Sequence, residues 1–503
     1  MTDGWPHMRP GPWRRTRRAR GALRAGWPVF AALAAVSIAT AACSTATMPT
    51  VQAPAAPAIR QQAELAPGEA REHMRILAAY GGQYDNPQIQ AMLDRTVDKL
   101  VSASERPDLR YQVTMLNSPA VNAFALPNGQ LYVTRGLIAL ANDQSEVASV
   151  MAHEMAHVIA RHAAIREDQA RQAALVNRVA TDLLSDPQLG ALALAKSKIA
   201  LANFSRAQEF EADGIGVRIS ARAGYDPYGA ERFLTSMGHN AQLRTPRAID
   251  PRAPDFLSSH PATPERVTNA VANARQFTGP GAGAREKAEY LALLDGLVYG
   301  EDPSEGFVRG RKFLHPKLGF SFTAPEGFTL DNSAQAVFGV KDGGAQALRL
   351  DVVRVPAEQS LPDYLNSGWI ENIEAKSVEE LTVSGFPAAT ATANGDQWSF
   401  RLYVVRFGSE VYRVIFAAKK RTDAVDKNFR EAIQSFRRMS VAEMAQAQPL
   451  RVKVVEVRPG DTVDKLARRM AVADRHAERF RVLNGMGDKD RLRPGDYIKV
   501  VVE

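Results

Sequence analysis

The sequence predicts a multidomain chain: a mainly α-helical domain with a small β-sheet, then an α+β domain, then a small β-α-α-β module. Three observations carry that prediction. At 503 residues the chain exceeds what one hydrophobic core organises, and its 45% apolar residues suffice for several. Helical apolar periodicity dominates from Asn86 to about Ala223, and near Phe313 the pattern changes to the alternating runs of strands. A short unit with its own strand and helix signals closes the chain at 450–503.

Residues 1–42 begin with seven arginines (Arg9, Arg14, Arg15, Arg17, Arg18, Arg20, Arg24) against one acid, Asp3. An apolar run from Val29 to Ala42, broken only by Ser37 and Thr40, follows them. This is the layout of a secretory signal, and the run is too short to span a bilayer. Because these residues hold +6 of the net charge of +8, the rest of the chain is near neutral, and a nucleic-acid partner loses its compositional support. Cys43 is the only cysteine, which excludes an intramolecular disulfide.

Residues 43–70 are rich in Ala, Pro, Thr and Gln without periodicity and read as a flexible tether. The first domain is expected over 71–280. Asn86-Pro87 caps a helix whose stripe is Ile89, Met92, Leu93, Val97, Leu100 and Val101. Strands are expected at Tyr111–Leu116, Val121–Leu126 and Gln130–Thr134, the last pair joined by a Pro127-Asn128-Gly129 turn. A helix from about Ser145 to Arg166 follows, then an Ala-rich helical stretch to Ala223. Residues 281–312 read as a linker. The α+β domain, 313–440, has strand runs at Phe320–Thr323, Leu348–Val355, Leu381–Val383, Phe400–Phe407 and Val411–Ala417, with helices at Pro362–Ile373 and Thr422–Arg438. Its titratable groups show no recognisable catalytic spacing.

The chemistry concentrates in His153-Glu154-Met155-Ala156-His157, an H-E-x-x-H motif inside a predicted helix. Residues four apart lie about 40° apart around a helix, so both imidazoles can reach one ion. Glu154 borders the same face, where it can hold a water and take its proton. A third ligand is needed. His162 lies about 140° further round a continuous helix than His157 and reads as a surface or second-layer histidine. In Ser205-Arg206-Ala207-Gln208-Glu209-Phe210-Glu211-Ala212-Asp213, Glu209 and Asp213 share a face while Glu211 points away. Glu209 is therefore the candidate third ligand, and Asp213 the acceptor that orients a ligating histidine, His153. Two His and one Glu leave the open fourth position of a catalytic Zn2+ site, one ion per chain.

Together, His-Glu-x-x-His and Ser-Arg-x-x-Glu-x-Glu-Ala-Asp resemble the gluzincin peptidases of the HtpX-type, BepA-type and CAAX prenyl-protease kind, over about residues 71–280. The resemblance implies a zinc metalloendopeptidase with Glu154 as general base and His153, His157 and Glu209 as ligands. It implies that Asn122, Ala123 and Phe124 form an edge strand beside the cleft, suited to unfolded or misassembled envelope proteins. In Ser259-His260-Pro261-Ala262-Thr263-Pro264-Glu265-Arg266, the resemblance puts His260 at the open zinc position as a regulatory fourth ligand. Read from the residues, Thr263-Pro264 starts a helix and leaves His260 in a loop, and both readings stay open.

Thr40-Ala41-Ala42-Cys43 resembles a lipobox. This implies lipid on Cys43, a periplasm-facing place in a bacterial cell envelope and, with Ser44 next, the outer membrane. Val457-Arg458-Pro459-Gly460-Asp461-Thr462, Val482-Leu483-Asn484-Gly485 and Leu492-Arg493-Pro494-Gly495-Asp496 resemble a LysM module. Here the implied peptidoglycan contacts are Gly460, Asp461, Thr462 and Asn484, the other reading being a module that packs on its neighbour. The resulting expectation is an envelope quality-control peptidase. The alternatives are a non-cleaving peptidoglycan-associated chaperone or scaffold lipoprotein, and cleavage of peptidoglycan peptides.

Overall fold

The computed structural model describes residues 66–168, 206–243, 260–333, 336–472 and 474–503. The signal at 1–42, Cys43, most of the tether and the helical stretch expected over 169–205 lie outside the described residues. The chain divides into two compact units, Met1–Glu72 and His73–Glu503. A helix runs over Pro67–Ala79, so helical order begins before the expected tether end at 70.

In the second unit, helix Pro87–Ala103 starts where the sequence places it. Asn86 is its N-cap, its side chain accepts the Ile89 N–H, and Ile89, Met92, Leu93, Val97 and Leu100 are buried. The first sheet has three strands, with Gln112–Leu116 parallel to Gln130–Thr134 and Ala123–Ala125 antiparallel on the other side, at an edge. Thr134 ends the sheet and caps the short helix Arg135–Leu140. After a turn, Asp143 caps the motif helix Gln144–Ile159 by accepting the Glu146 N–H.

This motif helix is shorter than expected. It ends at Ala160, and Arg161 adopts a left-handed conformation, φ 56°. A new helical segment covers 162–168. The kink breaks the angular arithmetic of a continuous helix, with a consequence for His162 described below.

Residues 281–312 are not a linker. Helix Lys287–Leu294 buries Tyr290, Leu291 and Leu294 in the same core as the motif helix. Strand Val298–Tyr299 then pairs with Leu450–Glu456 of the C-terminal module. That module has the expected order, with strands Leu450–Glu456 and Tyr497–Val502 and helices Val463–Ala467 and His476–Leu483 between them. Its Val452 and Val482 belong to the first domain's core.

Between them lies a seven-stranded antiparallel sheet. Its order is Glu379–Val383, Phe386–Asn394, Ser399–Phe407, Glu410–Ala418, Gln346–Val353, Val337–Lys341, Thr329–Asn332. Helix Asp423–Ile433 packs Phe429, Ala432 and Ile433 into its core. Two expected helices shorten. Pro362–Ile373 becomes Leu361–Leu365, followed by Gly368 and Asn372 at positive φ. The end of Thr422–Arg438 becomes a strand pairing Arg437 with Ser321.

His315 sits beside this core, ringed by Phe313 and Phe320, and its Nδ1 accepts the Leu318 N–H. Burial, helped by Lys317, pushes its pKa down to about 4. The unfolded chain therefore holds the extra proton between about pH 6.5 and pH 4, and stability falls as pH drops through that window. The stability advantage of the parent over His315→Gln is expected to shrink by about 2 kcal/mol from pH 7 to pH 4.5 in urea unfolding.

Candidate metal centre

Two helices bring the candidate ligands together. The motif helix presents His153 and His157 one turn apart, and helix 206–222 presents Glu209 and Asp213. The helices approach closely because Gly216 lies against the His153 backbone. A Cβ at 216 would stand 3.0 Å from His153 N and 3.1 Å from its Cα. A side chain at 216 would require the two helices to give by about a few tenths of an ångström at the turn that carries His153.

A third segment arrives from far along the chain. His260 precedes helix Pro264–Arg275, which Thr263 caps by accepting the Arg266 N–H. His260 lies in the loop before this helix, as the reading of Thr263-Pro264 expected, and is buried there at 7% exposure.

The donor atoms converge on one point. His153 Nε2 is 3.1 Å from His157 Nε2, 3.3 Å from His260 Nδ1 and 3.4 Å from Glu209 Oε2. Glu209 Oε2 is 2.9 Å from His260 Nδ1, and Glu209 Oε1 is 3.5 Å from His157 Nε2. A tetrahedron of zinc bonds of about 2.0–2.1 Å has edges of about 3.3 Å, so these spacings are those of a four-ligand zinc site. The donor set suits that ion as well: three imidazoles and a carboxylate, with no sulfur. Glu209 Oε1 is buried with no hydrogen-bond donor among the described residues, as a ligand oxygen would be. The residues fit zinc.

Protonation is arranged around the cluster. Burial alone would lower His153, but the Asp213 and Glu209 carboxylates outweigh it and raise its pKa to about 9. Burial, with His153 and His260 close by, holds His157 far below its usual range, which keeps it neutral. Glu209 is held low by His153 and His260 against the opposing effect of burial. Glu154, 3% exposed, has its pKa raised by burial. Its Oε1 lies 3.9 Å from His260 Nε2 and has no hydrogen-bond partner among the described residues.

An outer layer fixes the ligands. His153 Nδ1 is 3.0 Å from Asp213 Oδ1. Arg266, 4% exposed, grips Asp213 with Nε and Nη2 at 2.7 Å each, and its Nη1 is 2.9 Å from Glu209 Oε2. His162 Nδ1 lies 2.9 Å from His157 Nδ1, and its Nε2 lies 3.3 Å from Glu211 Oε2. With 2% exposure and its ring against His157, His162 takes the second-layer place of the two expected for it and not the surface one. The kink at Arg161 folds it back behind His157, and no continuous-helix argument could have found that. Arg266 was missed too, although its guanidinium lies between two buried acids. The only sequence signal was its place six residues after His260.

Of the remaining candidates, Asn122 and Ala123 are buried. The ring of Phe124 stacks on Tyr132 at 4.9 Å, and Asn122 Nδ2 donates to the Tyr80 hydroxyl. In the C-terminal module, Asp461 Oδ2 accepts the Arg458 N–H and Thr462 caps its helix, with Gly460 and Thr462 exposed. Asn484 is otherwise engaged: its Nδ2 donates to Phe480 O and Lys499 O, and its Oδ1 accepts the Lys499 N–H. These four residues lie in the module and not at the metal centre.

The profile of peptidase family M48 matches residues 87–274, the span that contributes all four candidate ligands. The chain is 30% identical over 214 residues to the beta-barrel assembly-enhancing protease of Escherichia coli, covering 41% of this chain and 43% of that one. It is 30% identical over 176 residues to the mitochondrial metalloendopeptidase OMA1 of Schizosaccharomyces pombe, covering 35% and 50%. The chain spans at most half the length of these relatives. No helix among the described residues is long and apolar enough to cross a membrane.

Proposed function

Since residues 87–274 belong to peptidase family M48, a family of zinc metallopeptidases, we propose that this chain is a zinc-dependent endopeptidase acting on unfolded or misassembled proteins of a bacterial envelope. The observation that carries this reading is the convergence of His153, His157, Glu209 and His260, with the basic carboxylate of Glu154 beside them. A scaffold has no use for that carboxylate.

In this reading His153, His157 and Glu209 hold one zinc ion. When bound, zinc supplies a Lewis acid and lowers the pKa of its water to about 7. Asp213 Oδ1, 3.0 Å from His153 Nδ1, favours a proton on that nitrogen and so the tautomer that leaves Nε2 free for the metal. Arg266 neutralises the two buried carboxylates and holds both at fixed angles. Glu154 takes the proton of the attacking water and passes it to the leaving amine. A buried carboxylate with a raised pKa is suited to both halves of that transfer near neutral pH. The strand Ala123–Ala125, at the edge of its sheet among the described residues, would offer backbone groups to an extended substrate, which gives affinity with little side-chain selectivity.

In this reading His260, grouped with the three ligands, would take the place that water and the scissile carbonyl need and so hold the enzyme latent. His260→Ala is expected to raise the cleavage rate of an unfolded protein about tenfold or more. A chelator should still abolish that cleavage, and added zinc should restore it. Unchanged or lower activity in His260→Ala would show that His260 does not block the site.

The name of the Escherichia coli relative supports an envelope substrate, and the signal-like residues 1–42 with Cys43 support a lipid anchor there. Peptidoglycan contact through the rim near Gly460 and Thr462 belongs to the same proposal.

A further inference from the structure

The C-terminal module is placed against the part of the first domain that launches the motif helix. Helix Arg135–Leu140 ends just before that helix, and its last carbonyls have no intrahelical partners. The Lys499 ammonium, fully buried, fills the gap. Its Nζ donates to Ala139 O at 2.8 Å, Leu140 O at 3.1 Å and Ala141 O at 2.7 Å. Its three N–H groups meet three carbonyls at the negative end of a helix, where a cation is favoured, and Leu140 O also accepts from Asn142 Nδ2 at 3.1 Å.

The fit is fixed from both sides. Asn484 holds the Lys499 backbone by its N–H at 2.7 Å and its carbonyl at 2.9 Å. Gly485, at φ 60°, lies against Asn142, and a Cβ there would come within 2.9 Å of Asn142 Nδ2. Across the contact, Glu146 Oε2 accepts the Asn142 N–H, and Asp143, with no exposure, is held by Arg232 and Arg285. Burial lowers the Lys499 pKa, and the nearby Glu146 carboxylate opposes that effect.

We propose that Lys499 is a positioning residue for the peptidase: it braces residues 139–141 and thereby sets the start of the helix that carries His153, Glu154 and His157. A helix is stiff over the roughly 15 Å from Asp143 to His153, so a shift at its start is transmitted to the ligands. The C-terminal module is then a structural part of the catalytic unit and not a separately hinged targeting head. This inference rests on the peptidase reading, but it also predicts a change that needs no activity to observe.

Lys499→Met in the full chain keeps the stem and removes the ammonium. The kcat on an unfolded protein should fall about tenfold with KM within about twofold of the parent. Amide hydrogen exchange should quicken at residues 141–150 and not in strands Ser399–Phe407 and Glu410–Ala418. Parental kcat together with parental exchange at 141–150 would overturn the proposal. If the parent itself does not cleave, the peptidase reading fails and the exchange comparison alone decides the brace. If Lys499→Met does not fold, a protease site placed at Ala447 of the parent serves instead. After nicking, the module should stay associated, or leave with loss of activity. Departure of the module with activity kept would overturn the proposal.

Discussion

Glu154→Gln is expected to lower kcat/KM for an unfolded protein by about a thousandfold while leaving zinc binding within about threefold of the parent. The substitution keeps the shape of a side chain that is 3% exposed and removes only its basicity. Glu154 Oε1 accepts no hydrogen bond among the described residues, so the amide replaces none at that atom. The ligand atoms of His153, His157 and Glu209 stay where they are. Cleavage of a labelled unfolded protein at matched zinc content checks this, and a loss smaller than about tenfold would remove Glu154 from the proton transfer.

Arg266→Met is expected to produce the largest loss of stability of any single change at the site. The guanidinium satisfies both oxygens of Asp213 and reaches Glu209, and all three groups are buried. Removing one partner of a buried pair leaves uncompensated charge and costs about 3–5 kcal/mol. Asp213 would no longer hold His153 at a fixed angle, and metal affinity should fall about 10–100-fold. Urea unfolding and competition with a zinc chelator measure the two effects. A variant within about 1 kcal/mol of the parent and with parental zinc affinity would show that Arg266 only covers the site.

How far the sequence reached depended on the range of the interaction. Local rules worked where structure is local. The Asn86-Pro87 cap and the strand Gln130–Thr134 lie where expected, and His153 and His157 share a helix face. Angular spacing also put Glu209 and Asp213 on one face and Glu211 on another, as observed. The reading failed where one residue in a left-handed conformation redirected the chain. Arg161 ends the motif helix early and turns His162 inward, and nothing in its side chain announces that. Strand Phe386–Asn394 was missed because its alternation is of alanine with threonine and carries little hydropathy contrast. The roles of Arg266 and Lys499 arise from contacts 53 and about 360 residues away, beyond any periodicity. Residues 281–312 looked like a linker because short helices and two-residue strands leave a weak pattern. Their burial is set by partners at both ends of the chain.

The central claim is that His153, His157 and Glu209 hold a catalytic zinc ion, and the most direct test is metal analysis of the purified chain beside its His153→Ala/His157→Ala double variant. The account predicts one zinc per parent chain and none in the double variant, with cleavage following the metal. Equal zinc in both proteins, or a parent that cleaves protein without zinc, would contradict it.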